Sequence, residues 1–151
     1  MKPDDFIAVI RNAAIASAAE SGIPASFTIA EAALESAWGQ SQLALQAKNL
    51  FGVKADASWH GDVLTMNTRE YLKGQWVIVP ARWRKYQDWQ GCMDDHAAFL
   101  HGNPRYHGCF PAKDGPSFAR AVAAAGYATD PQYADKLIAI MRAHNLALLD
   151  A

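Results

Sequence analysis

Val63-Leu64-Thr65-Met66-Asn67-Thr68-Arg69-Glu70-Tyr71, followed after Leu72-Lys73-Gly74-Gln75 by Trp76-Val77-Ile78-Val79-Pro80-Ala81-Arg82-Trp83, is the stretch that decides the fold class. From about Asp62 to Tyr86, β-branched and aromatic residues dominate and alanine nearly vanishes, which predicts two strands joined as a hairpin with glycine in the loop. Pro80 places the second strand at an edge or a bulge. Outward from this stretch the pattern is helical. Phe6, Ile7, Val9, Ile10, Ala13 and Ala14 recur at helix spacing until Ser21-Gly22 and Pro24 stop the run. An alanine-rich helix is predicted from about Ser26 to Trp38, closed by Gly39, then a short one from Ser41 to Ala47 leading into a turn at Lys48–Gly52. Helix returns at about Asp88–His101, a loop covers Gly102–Pro116, and Ser117–Ala125 and Gln132–Leu149 complete the chain, with Asp130 before Pro131 as an N-cap. The expectation is one α+β domain over residues 1–151, mainly helical, with a small β-lobe at about 62–86.

Composition narrows the function. The 151 residues are 51% hydrophobic and 19% charged, enough apolar surface for a core. Fourteen basic residues against fifteen acidic ones give a net charge of −1, which argues against a whole-surface grip on nucleic acid or anionic lipid. No apolar run approaches the roughly 20 residues of a membrane span. The opening Met1-Lys2-Pro3-Asp4-Asp5 carries acids where a secretory signal carries basic residues, so synthesis in the cytoplasm without a signal peptide is expected. Eleven of the fifteen acids are aspartate, so glutamate chemistry has four candidates: Glu20, Glu31, Glu35 and Glu70.

Glu35 ends an apolar helix, flanked by Leu34 and Trp38. Partial desolvation there would raise its pKa and suit a proton donor at neutral pH. An ordinary solvent-facing helix residue is the competing reading. Glu31 lies one turn earlier on the same face, a like-charged spacing that calls for a counter-charge or a reason. Glu70, at the end of the first strand, is by itself a rim charge near Arg69 or Lys73. Facing Glu35 across a cleft, it would complete the two-carboxylate arrangement of glycoside hydrolysis. Trp38, Phe51, Trp59, Trp83, Tyr86, Trp89, Tyr106 and Tyr127 supply flat faces for sugar rings, although core filling accounts for most aromatics. Trp59, in a loop, is the best exposed platform.

Ala33-Leu34-Glu35-Ser36-Ala37-Trp38-Gly39, Asn49–Ala55 (Asn-Leu-Phe-Gly-Val-Lys-Ala), Thr68–Gly74 (Thr-Arg-Glu-Tyr-Leu-Lys-Gly), Asn103-Pro104-Arg105-Tyr106 and Tyr127–Ala134 (Tyr-Ala-Thr-Asp-Pro-Gln-Tyr-Ala) occur in an order that resembles glycoside hydrolase family 73. That family includes the peptidoglycan-hydrolase domain of the flagellar rod-assembly protein, autolysins and phage endolysins. The resemblance covers roughly Ser26–Met141. It implies a two-lobed lysozyme-like fold with a glycan groove, and cleavage of β-1,4 bonds in peptidoglycan, usually after N-acetylglucosamine. It implies Glu35 as general acid, Glu70 as the second carboxylate and Tyr127 as a tyrosine that helps catalysis. Asn49, Phe51 and Gly52 match the turn shaping the groove, and Trp38, Trp59 and Tyr106 join them as expected substrate-binding residues. Glu31 stands where the family more often carries glutamine. With no rod-binding domain or anchor repeats recognised in these residues, a stand-alone phage or prophage endolysin, reaching the wall through a holin or a dedicated secretion route, or an excised domain, is expected over the full flagellar protein. Muramidase and lytic transglycosylase chemistry, or a non-catalytic glycan-binding module, are the alternatives.

Two other signals are set aside. Cys92, His96, His101, His107 and Cys109 lie close in sequence, but they lack paired zinc-ligand spacing, so no metal and no cofactor is expected. A Cys92–Cys109 disulfide formed in an oxidising compartment fits the two thiols better than a metal site does, and the sequence leaves open whether they pair. The run Arg82-Trp83-Arg84-Lys85-Tyr86 resembles a single-strand nucleic-acid grip. It stands alone in a chain of net charge −1, and attraction to an anionic cell wall or a solvated edge is its expected use. The resemblance implies peptidoglycan glycan strands as the partner, and no nucleic acid, no membrane insertion and a monomeric protein are expected.

Overall fold

A computed structural model describes residues 1–151. The elements in order are α1 (Pro3–Ser21), α2 (Ala25–Glu35), α3 (Gln42–Ala47), β1 (Asp62–Leu72), β2 (Gln75–Lys85), α4 (Trp89–Gly102), a 3₁₀ turn (Pro104–Cys109), α5 (Gly115–Ala124), α6 (Tyr133–Ala143) and a closing 3₁₀ turn (Leu146–Asp150). This is the α+β, mainly helical architecture that the sequence predicts. No helix is long and apolar enough to cross a membrane.

The body is organised around α2. Every residue from Ala25 to Ala33 is buried, because small side chains on all sides let α1, α5, α6 and the closing 3₁₀ turn pack against it. Its N-terminus is capped from the far end of the chain: Asp150 accepts from the Ser26 amide at 2.9 Å and from the Ser26 hydroxyl at 2.5 Å. A carboxylate there also offsets the helix dipole. Gly115 opens α5 against the same corner, where a Cβ would collide with Ser26 Oγ and Met141 Sδ.

The predicted helix from Ser26 to Trp38 ends earlier, at Glu35. Ser36 Oγ donates back to the Ala32 carbonyl at 2.6 Å and accepts from the Gly39 amide at 2.8 Å. Ala37, Trp38 and Gly39 then take left-handed φ values of 51°, 59° and 79°. Helix cannot continue through that turn. The last predicted helix likewise starts at Tyr133 and stops at Ala143, where Asn145 turns left-handed.

The two strands run longer than expected and pair antiparallel, Asp62 with Lys85 through Leu72 with Gln75. Lys73 and Gly74, at φ 51° and 79°, form the two-residue turn whose twist matches that of the strands. Pro80 pairs with Asn67 and faces outward. The hairpin joins the body at its base. Ala55 N donates to Arg82 O, Arg84 N to Val53 O, and Tyr86 N to Ala47 O, at 2.9–3.1 Å.

Asn49 locks this base. Its buried amide donates at 2.9 Å to both Val53 O and Arg84 O, and its oxygen accepts from Val53 N at 3.1 Å. Replacing Asn49 with Ala should cost about 1–3 kcal/mol by leaving these groups unpaired. Thermal unfolding checks the loss, and earlier amide exchange in the hairpin than in α2 checks its location.

Candidate active site

A groove of about 650 Å³ runs between the helical body and the base of the hairpin. Glu35, Phe51, His96, Tyr106 and Tyr127 form its body-side wall, and Lys54, Asp56 and Arg84 come from the hairpin side. It continues past Asp56, Arg84 and Phe99 into a second depression of about 440 Å³ that reaches Asn103 and Pro104. An elongated open cleft of this kind accommodates a polymer better than a small metabolite.

Glu35 is the last residue of α2, so the left-handed turn that follows leaves its carboxylate at the lip of the groove. The residue is solvent-accessible, yet the surrounding protein desolvates the carboxylate enough to raise its pKa above the usual 4.5. The charge of Glu31 pushes in the same direction, against smaller opposing effects of Tyr133 and His96. A raised carboxyl beside a cleft is equipped to hold a proton and deliver it.

Under Glu35 lies a buried cluster. Glu31 is fully buried, with its Oε1 2.5 Å from His96 Nε2. Tyr127 donates its hydroxyl to Oε1 at 3.2 Å and Tyr133 donates to Oε2 at 2.8 Å. Burial first, and then the Glu31 charge, push both phenols well above the ordinary tyrosine range, so they remain protonated donors. His96 lies flat on Phe51, ring centroids 3.9 Å apart.

Of the residues singled out in the sequence, Glu35, Phe51, Gly52, Tyr106 and Tyr127 meet in the groove wall. Trp38 does not. The left-handed turn swings its indole onto Phe6 and His144, at 6.0 and 5.1 Å. Asn49 is the hairpin lock rather than a groove residue. Trp59 is not an exposed platform. Its Nε1 donates to Asp62 O at 2.8 Å, its ring packs edge-on to Tyr86, and the Arg84 guanidinium stacks on it at 5.0 Å. Glu70 lies on the half-buried face of the hairpin opposite Val77, outside the groove wall, with Lys54 Nζ 3.9 Å from its carboxylate.

The Cys/His stretch is dispersed. No three His, Cys, Asp or Glu side chains gather as a metal site would require. His101 bonds Ser21 O and His107 bonds His101 O. The disulfide that the sequence leaves open is not formed: Cys92 and Cys109 are separate buried thiols. Cys92 accepts from Leu50 N at 3.5 Å, and burial pushes its thiol up to about 12. Two members of the basic run, Arg84 and Tyr86, are engaged internally. Arg84 binds Asp95 through both carboxylate oxygens and reaches Asp56 at 3.2 Å, while Tyr86 donates to Asp95 at 2.6 Å.

The residues that sequence reasoning missed as site components are His96, Tyr133, Lys54, Arg84 and Phe99. Tyr133 stands in a quoted motif. His96 lies four residues after Cys92 on α4, and only the packing of α4 against the groove shows its use.

Comparison with known proteins bears on the family and the fold. The chain is 40% identical over 142 residues to the peptidoglycan hydrolase FlgJ of Salmonella typhimurium, covering 91% of this chain and 45% of that one. It is 44% identical over 126 residues to the exo-glucosaminidase LytG of Bacillus subtilis, covering 80% and 44%. The chain thus spans less than half the length of either relative. The solved structure of a C-terminally truncated glycoside hydrolase domain from Salmonella typhimurium FlgJ superposes with a TM-score of 0.84 at 38% identity, covering 95% of this chain and 98% of that one. Residues 11–146 match the family described as "Glucosaminidase: Mannosyl-glycoprotein endo-beta-N-acetylglucosaminidase". With that match spanning most of its length, the chain belongs to the glucosaminidase family of glycoside hydrolases, family 73.

Proposed function

We propose that residues 1–151 act as one catalytic unit, an endo-β-N-acetylglucosaminidase that cleaves β-1,4 bonds in the glycan strands of peptidoglycan. The observation that carries this is Glu35, its pKa raised, at the lip of an elongated groove shared with Tyr127. Glu35 gives its proton to the glycosidic oxygen as the bond to the anomeric carbon breaks, and the sugar develops oxocarbenium character.

Glu70 is outside the groove wall, so the group sharing the wall with Glu35 is a phenol and not a second glutamate. Tyr127 gives its only proton to Glu31, so its oxygen can serve the groove only as an acceptor. That suits the N–H of a 2-acetamido group. The acetamido carbonyl oxygen then attacks the anomeric carbon, while Tyr127 holds the N–H. Water next adds to that carbon and opens the ring formed, giving a proton to the Glu35 carboxylate. Substrate-assisted hydrolysis of this type retains configuration.

The same reading extends to a lysin that works on the wall unaided. Purified sacculi incubated with the 151-residue chain, with and without EDTA, should release muropeptides ending in reducing N-acetylglucosamine, identified by mass spectrometry, at the same rate in both. Reducing N-acetylmuramic ends would make it a muramidase, and anhydro ends a lytic transglycosylase. No release would defeat the reading.

A further inference from the structure

Glu31 is the one fully buried acid of the fold, at 0% exposure in the middle of the helix around which the body packs. Burying a carboxylate costs several kcal/mol unless it is paired and hydrogen-bonded. An apolar residue would fill the same space without that cost. The position therefore calls for something that an apolar side chain lacks.

Its surroundings show what that is. An ionised carboxylate carries no proton, so both phenols aimed at it must donate. Glu31 thereby fixes the direction of the Tyr127 hydroxyl at 3.2 Å and of the Tyr133 hydroxyl at 2.8 Å. Its negative charge also sits one helical turn from Glu35 and opposes ionisation there. The nearest polar partner comes from α4. His96, 2% exposed, brings Nε2 within 2.5 Å of Glu31 Oε1, at an angle outside hydrogen-bond geometry, and Phe51 clamps the ring from the other face. The remaining ionisable side chains facing the pair are Glu35 from α2, Tyr127, Tyr133 from α6 and, behind Tyr127, Tyr106. Arg84, across the groove, is already committed to Asp95 and Asp56.

We propose that Glu31 and His96 are positioning residues of the active site: a buried acid–imidazole pair that presents the Tyr127 oxygen to the groove as an acceptor and sets a fixed carboxylate one helical turn behind Glu35. The inference rests on the reading of Glu35 as the general acid and assigns no contact with substrate to either residue. His96 serves as the polar partner that lets Glu31 stay in the interior.

The test combines a readout that needs no activity with one that does. Carboxyl-carbon NMR titration of Glu35, assigned with Glu35→Gln, should show Glu35 titrating at lower pH in Glu31→Gln than in wild type. In sacculus solubilisation, the alkaline limb of kcat/KM should move to lower pH with it, a several-fold loss at neutral pH that shrinks in acid. Unchanged Glu35 titration in Glu31→Gln overturns the proposal. Altered titration in a chain that never solubilises sacculi would instead defeat the glycosidase reading alone.

Thermal unfolding reads the pair itself. His96→Gln strands a buried charge and should melt below wild type, while the Glu31→Gln/His96→Gln double variant should recover much of that loss. Simple additivity would overturn the pairing. Should Glu31→Gln fail to fold, Glu31→Asp keeps the charge but draws it back from both phenols. Glu35 should then stay raised while kcat falls, and wild-type turnover in that variant would overturn the role assigned to Tyr127.

Discussion

The Glu35→Gln protein should lose about 10²–10⁴-fold in turnover on sacculi while binding glycan strands as wild type does, the range expected when a general acid is removed. Glutamine keeps the volume and polarity of the side chain at the lip of the groove but has no proton to give. The interaction removed exists only as the glycosidic oxygen gains charge, so kcat should fall and ground-state binding should not. The substitution also has a stability sign. Burial and the Glu31 charge raise the Glu35 pKa in the folded state, so the fold binds that proton more tightly than the unfolded chain does. Stability from this group is complete below the unfolded value near 4.5 and is lost as pH rises through the higher folded one. Above that folded value the ionised carboxylate works against the fold. Glu35→Gln should therefore melt above wild type at alkaline pH, and the gap should close in acid. Wild-type turnover, or a lower melting point at alkaline pH, would contradict this account of Glu35.

Local pattern made the architecture legible, and tertiary placement hid much of the site. The hairpin could be read from Val63–Tyr71 and Trp76–Trp83 because β-branched and aromatic residues replace alanine there, and the observed strands add only one or two residues at each end. The acid at the end of α2 was legible for the same reason: an apolar helix with one carboxylate at its edge. Trp38 was misread because its neighbours Ala37 and Gly39 give no warning that three successive residues turn left-handed, a geometry held by Ser36 and by the packing against Phe6. His96 was grouped with distant histidines because sequence spacing says nothing of what an α4 side chain meets across the core. Glu31 raises the right question, a like charge one turn from Glu35, but its answer comes from His96 on α4 and Tyr133 on α6, both more than sixty residues further along the chain.

Glu70→Ala should leave much of the activity in place, and Tyr127→Phe should remove about tenfold or more, with the product anomer retained in every active variant. The argument turns on which group can meet the charge that develops at the anomeric carbon. A direct water attack needs a second carboxylate about 6.5–9.5 Å from the acid, on the opposite face of the sugar. Glu70 sits on the hairpin with Lys54 beside it and outside the wall that Glu35 shares with Tyr127. Asp56, the other acid in that wall, is tied to Ser58 and Arg84, whose hydrogen bonds and charge hold it below the usual carboxylate range. It is a poor base, so under the proposed function the substrate's own acetamido oxygen is the nucleophile. Phenylalanine at 127 deletes the acceptor for the acetamido N–H and also frees one oxygen of the buried Glu31, so its effect should exceed that of removing a rim carboxylate. Proton NMR taken immediately after cleavage reads the anomer before mutarotation. An inverted product, together with Glu70→Ala as inactive as Glu35→Gln, would show that the hairpin closes over bound glycan and brings Glu70 to the water.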